Sequence, residues 1–253
     1  MPNLRRTDPA LALVLFATMA TAQALAAPPL VIGASTPLTG TVAHYGQHAR
    51  WGAELAIEEA NAQGGALGRK IEIDFQDSWR TEVAAYELDK LLELGMVPAT
   101  IERMSPYDNK PASLQLWVEA SMSEAKRRER AIIPPNAEKW ADQLSDMAVF
   151  DALIYNTDRH PDNLLITDAF DIRLIDHSRS FRPNAELRNK SDLRRFSRSL
   201  IEKIRRLDKS SVSRKLGDYL TLSQIDGLMK RRQLVLDLVA ELSKRNGEKA
   251  VLY

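Results

Sequence analysis

Residues 150–177, FDALIYNTDRHPDNLLITDAFDIRLIDH, carry side chains suited to moving a phosphoryl group. Asp158-Arg159-His160 is followed by Asn163, five residues after Asp158, and by Asp176 at the end of a second apolar run. Phosphoryl transfer needs a carboxylate to orient or deprotonate the attacking hydroxyl, and hard oxygen ligands to hold Mg²⁺ against nucleotide phosphates. Asp158 suits the first task and is the catalytic candidate. Asn163 and Asp176 suit the second and are the metal-ligand candidates, with Mg²⁺ and ATP as the implied cofactors. Positioning falls to two short strands, Leu164-Leu165-Ile166 and Ile172-Arg173-Leu174-Ile175, joined by the turn Asp168-Ala169-Phe170-Asp171. Folding that hairpin draws Asp158, Asn163 and Asp176 towards one edge. A helix over 137–154, opened by Pro134-Pro135-Asn136, feeds the loop, and Asp151 stands ready to orient it.

The order D-R-H-x-x-N followed by I-D-H resembles the catalytic and metal-binding loops of the phosphoinositide 3/4-kinase-like branch of the protein-kinase-like superfamily. The Asp-to-Asn spacing also fits the kinase catalytic-loop pattern. Asp176-His177-Ser178 stands where many kinases have Asp-Phe-Gly. The wording EVAAYELDKLL, LQLWVE, NTDRHxxNLLI, LIDHxRxF and GDYL extends this resemblance, to a bacterial kinase-like family, over residues 79–253. It implies that Glu82, opening an amphipathic helix, is the acid that pairs with an ATP-binding lysine. It also implies that Val118 and Glu119 belong to the adenine-binding hinge, where the second of two paired strands (97–103 and 113–119) ends. A phosphate-covering loop and a strand lysine belong upstream of that helix. That space holds something else, so nucleotide binding is expected to be weakened or lost.

The N-terminus explains what occupies it. Arg5 and Arg6 precede an apolar run from Ala10 to Ala20, and Ala24-Leu25-Ala26-Ala27 follows. That is the pattern of a secretory signal peptide over residues 1–27. The apolar run is short for a permanent membrane span. The expected location is periplasmic or secreted, or cytoplasmic if the signal is not used. Residues 28–78 then read as one βαβ unit. A strand at 30–34 is followed by a helix from Gln47 to Asn61, whose buried side is Ala53, Leu55, Ala56, Ile57 and Ala60. Gly64 and Gly65 stop the helix, and a strand follows at 70–75. This stretch, from VIGASTPLTG to IEIDFQDS, resembles the start of mature periplasmic leucine/isoleucine/valine-type binding proteins of ABC importers. The resemblance implies a type I periplasmic-binding-protein lobe, a branched-chain amino-acid ligand, contact through Tyr45, and ABC-importer membrane subunits as partners. The rest of such a two-lobed protein does not follow in the sequence.

Composition narrows the remainder. The chain has no cysteine, which excludes disulfides, thiolate metal sites and cysteine nucleophiles. A formal net charge of +1 gives no global field for nucleic acid, which is not an expected partner. Residues 186–253 hold 17 Lys plus Arg against 9 Asp plus Glu, an excess of 8. They read as helices over 193–207, 211–220, 222–232 and 234–245, with the charge spread on solvated faces. The expected fold class is α+β: a mostly helical, kinase-like C-terminal lobe behind a signal peptide and one βαβ unit. Two functions follow. One is a kinase-like phosphotransferase remnant fused to an exported amino-acid-binding-protein-like segment. The other is a truncated branched-chain amino-acid-binding component of an ABC importer.

Overall fold

A computed structural model describes residues 30–34, 43–75, 78–107, 109–119 and 121–253. The expected signal peptide lies outside them. The first body is β1 (Leu30–Ala34), α1 (Ala43–Ala62) and β2 (Ile71–Phe75). The two strands pair in parallel, Leu30 opposite Ile71 and Ala34 opposite Phe75. The Asn61 side chain, near the end of α1, holds both the N–H and the carbonyl of Ile71, at 2.7 Å each. That fixes where the returning strand begins.

This unit has almost nothing to fold around. None of its described residues whose burial is given is buried, and Ile32, Leu55 and Leu67 are at least half exposed. The expectation that Leu55 and Ala56 lie on a buried side is corrected here: both are exposed. The periodicity is real, but one helix and two strands cannot enclose its apolar face.

Burial starts at Thr81, on α2 (Trp79–Leu92). Val83, Ala84, Ala85, Leu88 and Leu92 recur at helical spacing and all are buried. Asp89 is buried among them and accepts from the backbone N–H groups of Gly95, Met96 and Val97 at 3.0–3.2 Å, closing the turn out of the helix. The chain then forms β3 (Thr100–Met104) and β4 (Pro111–Gln115), an antiparallel pair with Ile101 opposite Leu114. A connection through Val118 and Glu119 leads to β5 (Ser121–Ser123), the short helix α3 (Glu124–Glu129), and α4 (Ala137–Ile154). Next come β6 (Leu164–Thr167) and β7 (Ile172–Leu174), which with β5 make an antiparallel sheet of order β5-β6-β7. Leu164 faces Leu174 and Ile166 faces Ile172 in the hairpin, and all four are buried.

The remaining helices are α5 (Arg198–Arg206), α6 (Lys209–Leu216), α7 (Leu222–Asn246) and α8 (Glu248–Val251). Two expectations change here. The helix read from residue 193 begins at 198, because Ser197 caps it and Phe196 instead pairs with the chain end near Leu252. The two helices read over 222–232 and 234–245 are one 25-residue helix. Its buried seam runs Ile225, Leu228, Arg231, Val235, Leu238 and Leu242. Arg231 keeps the seam continuous by donating from Nε to the Leu153 carbonyl at 2.8 Å and from Nη1 to the Arg182 carbonyl at 2.9 Å. Burial lowers its pKa to about 10, so the guanidinium stays charged near neutrality.

These observations make two predictions. Limited proteolysis of the full chain should cut within residues 43–75 first and leave a resistant body starting near Trp79. Equal resistance of both parts would contradict the burial pattern. The second concerns Asp146 on α4, which burial pushes up to about 6, with the nearby Asp142 charge adding to the rise and the Tyr253 hydroxyl donating to its Oδ1 at 3.1 Å. In the fold this carboxyl keeps its proton above the unfolded value of 3.8. Its stabilising contribution is therefore complete below about pH 4 and lost as pH rises through about 6. Asp146→Asn should gain about 1 kcal/mol near pH 7, reduced from the full linkage value by solvent screening. Thermal melts across pH 4–8 should show that gain above pH 6 and none at pH 4.

Candidate functional site

The site is built where α4 runs into the β6–β7 hairpin. Helix α4 ends at Tyr155, which adopts a left-handed conformation (φ 53°) and turns the chain sharply. Asn156 then bonds back to Asp151, through its backbone N–H to the Asp151 carbonyl at 2.9 Å and through its amide to Oδ1 at 3.0 Å. Its own amide oxygen accepts from the Asp158 N–H at 2.9 Å. Asp158 is thus delivered by a turn tied to the helix end through Asn156 and to the Arg179 carbonyl through Thr157.

Arg159 ties the pieces together. Its guanidinium grips Asp151 with two bonds, Nε to Oδ2 at 2.9 Å and Nη2 to Oδ1 at 3.0 Å. Nη1 donates to the Asn163 carbonyl at 2.9 Å and to the Ile175 carbonyl at 2.8 Å, and Nη2 approaches His177 Nε2 at 2.9 Å. One planar fork therefore joins the helix end, the Asp158–Asn163 loop and the Asp176 loop. Arginine has only donors, so His177 Nε2 must accept and the ring proton sits on Nδ1. That nitrogen is buried and lies 3.5 Å from Glu82 Oε2.

Asn163 is buried, and its side-chain nitrogen donates to the Asp158 carbonyl at 2.9 Å. The amide oxygen is thereby turned the opposite way. Asp176 also has a left-handed backbone (φ 56°), and its Oδ1 accepts from the Ser178 hydroxyl at 2.8 Å. The Ile175 N–H reaches the Asn163 carbonyl at 3.1 Å, so the two candidate ligands leave adjacent backbone. One amide oxygen and one carboxylate are hard donors, fitting Mg²⁺ that keeps waters and nucleotide phosphates as its other ligands. Among the described residues no group of three or more His, Cys, Asp or Glu could hold a metal without such help. Asp158 shares its carboxylate with Arg179, whose Nη1 lies 3.1 Å from Oδ2.

Glu82 comes to this site through α2. Its Oε1 accepts from the His177 N–H at 2.7 Å, and Thr81 Oγ1 bonds the Ser178 carbonyl at 3.0 Å. The N-terminus of α2 is therefore docked on the Asp176–Ser178 loop, and Glu82 is engaged by His177. Val118 and Glu119 lie apart from this cluster in sequence, on the connection from β4 to β5, Val118 half-buried and Glu119 exposed. Tyr45 lies on α1, two-thirds exposed. Sequence reasoning missed Arg179 and the many-sided role of Arg159. The clue available was an arginine placed directly after the candidate acid, with Asp151 one helical stretch upstream.

Comparison with known proteins finds similarities of two kinds. A family model described as periplasmic binding protein matches residues 29–107. The Leu/Ile/Val-binding protein BraC3 of Rhizobium johnstonii is 44% identical over 48 residues, 19% of this chain. The match covers 13% of that relative's length. Among solved structures, hydra Fam20 with sugar aligns with a TM-score of 0.53 at 17% identity, over 70% of this chain and 74% of that one. The Golgi casein kinase with Mn/ADP bound aligns with a TM-score of 0.52 at 15% identity, over 70% of this chain and 64% of that one. The chain thus joins a periplasmic-binding-protein-type N-terminal segment to a kinase-like fold. The family match runs on through α2 and β3, while α2 shares one buried core with α4, α5, α6 and α7.

The clamp makes a direct prediction. Arg159→Met removes a cation and leaves the largely buried Asp151 carboxylate uncompensated, which should cost about 3–5 kcal/mol in denaturant unfolding. Asp151→Asn with Arg159→Met should recover part of that loss. Equal stability of Arg159→Met and the parent chain would show that the clamp does not hold the loop.

Proposed function

We propose that residues 79–253 form a phosphotransferase lobe whose nucleotide affinity is low. The observation that carries this reading is the Arg159 fork, which fixes the Asp158–Asn163 loop and the Asp176 loop against one helix end. Asp158 orients the acceptor hydroxyl and takes its proton as the acceptor oxygen bonds the γ-phosphorus and the bond to the ADP oxygen breaks. The Asn163 amide oxygen and the Asp176 carboxylate hold Mg²⁺. Bound Mg²⁺ supplies charge neutralisation on the phosphates. Glu82 steadies the metal loop through the His177 N–H, and the Val118–Glu119 connection supplies backbone groups for the adenine ring. The missing phosphate-covering loop and lysine are what make affinity low, with Kd expected on the order of 1 mM. The chain is exported by residues 1–27 to the periplasm or outside the cell, where ATP is scarce, and this supports reduced or lost turnover.

A second reading rests on the 44% identity to the branched-chain amino-acid-binding relative. In it the chain is a truncated amino-acid-binding component of an ABC importer, using Tyr45 and partnered by importer membrane subunits. Against it stands the lack of any buried residue in the unit around Tyr45 among those described.

Calorimetry on the full chain separates the two. Mg²⁺-dependent ATP binding should be weakened about tenfold or more by Asp176→Ala. Asp158→Asn should keep binding and lower any phosphoryl transfer about 10²-fold or more. Leucine, isoleucine and valine should give flat titrations. Saturable leucine binding together with no ATP binding would overturn the first reading in favour of the second.

A further inference from the structure

A cavity lies beside the Asp158 loop, and the reading above assigns it no ligand. It has a volume of about 270 Å³ and is lined by Asp151, Asn156, Thr157, Arg159, Arg188 and Asp192 together with apolar groups from α4 and Leu193. That is far more than the roughly 30 Å³ share of one water. It is just below the usual range of about 300–1,000 Å³ for drug-sized ligand sites, so its occupant is small.

The charges inside are unequal in what they leave unsatisfied. Asp151 and Arg159 neutralise one another through the two-bond grip already described. Asp192 is exposed, and its Oδ1 accepts from the Ser191 hydroxyl at 3.2 Å. Arg188 is different. Its Nε is buried without a hydrogen-bond partner, while its guanidinium carbon stands 5.8 Å from the centre of the Tyr155 ring. An orphaned N–H on a cation is costly, since the group loses water and gains no acceptor. Such groups are few in folded proteins, and each calls for a physical reason. A negatively charged acceptor seated in the cavity is the simplest one. The cation–π contact with Tyr155 holds the guanidinium near that ring, beside the cavity.

We propose that the cavity between the end of α4, the Asn156–Arg159 turn and Arg188 is a binding site for a small oxyanion, a phosphate or carboxylate group. The site is separate from Asn163 and Asp176 and does not require nucleotide. Because Asn156, Thr157 and Arg159 form one wall, its occupant bears directly on the turn that carries Asp158.

The test is calorimetry of the full chain in Mg²⁺-free HEPES, titrated separately with inorganic phosphate and with acetate. Saturable binding of at least one anion is expected, weakened about tenfold or more by Arg188→Gln through loss of a charge-assisted donor. Asp192→Asn, which removes the carboxylate at the rim, should tighten binding a few-fold; this variant keeps the test open if Arg188→Gln does not fold. Phosphate bound with acetate inert would assign the site to phosphoryl groups, and the reverse to carboxylates. Asp176→Ala should leave anion binding unchanged. No saturable binding of either anion up to about 20 mM, or identical binding by a folded Arg188→Gln, would overturn the proposal.

Discussion

The two-bond ion pair between Asp151 and Arg159 is the contact on which the rest of the kinase-like lobe depends. Both side chains are largely buried, 14% and 10% exposed, so neither charge is solvated well enough to stand alone. A buried pair of this kind need not add net stability, but losing one partner is severe. What the pair provides is placement. The same guanidinium that satisfies Asp151 also takes up the carbonyls of Asn163 and Ile175, and so links the end of α4 to both ends of the β6–β7 hairpin. The loop bearing Asp158 and the loop bearing Asp176 are therefore held by one rigid planar group.

Around that contact the molecule divides by burial. The core runs from α2 to α8, with α4 and the long α7 at its centre. The βαβ unit ahead of it has a correct local pattern and no buried residue among those whose burial is described. The β3–β4 pair is intermediate: Thr100 is buried, while Ile101, Met104, Leu114, Leu116 and Trp117 are exposed. Two strands have one face to cover and two edges to protect, and a larger sheet would do both. The two parts of the chain are each locally consistent and globally incomplete.

Much of this was legible in the sequence. The span of α4 follows from the Pro134-Pro135-Asn136 break, the β6–β7 hairpin from two short apolar runs around a turn, and β1, α1 and β2 from spacing plus the Gly64-Gly65 stop. Both halves of the recognised resemblance agree with the family match at the N-terminus and with the kinase-like fold of the remainder. Arg231 was not legible. A charged residue in a helix reads as surface, and carbonyls it donates to lie 49 and 78 residues away. The docking of Glu82 on the His177 N–H, across 95 residues, leaves no periodic trace either. Nor does the Arg179–Asp158 pair. Side-chain bonds to distant backbone depend on the packed geometry, and spacing along the chain does not encode them. Leu55 and Ala56 differ in cause: their helical spacing is plain in the sequence, and both are exposed in the structure.

The most direct test of the account is residue-resolved NMR of the full chain during addition of Mn²⁺ with ADP. The account predicts paramagnetic broadening centred on the amides of Asn163, Asp176 and His177, lost in Asp176→Ala, with residues 43–75 unaffected. Broadening centred elsewhere, or none at saturating Mn²⁺ and ADP, would contradict it and leave the kinase-like lobe as inherited shape.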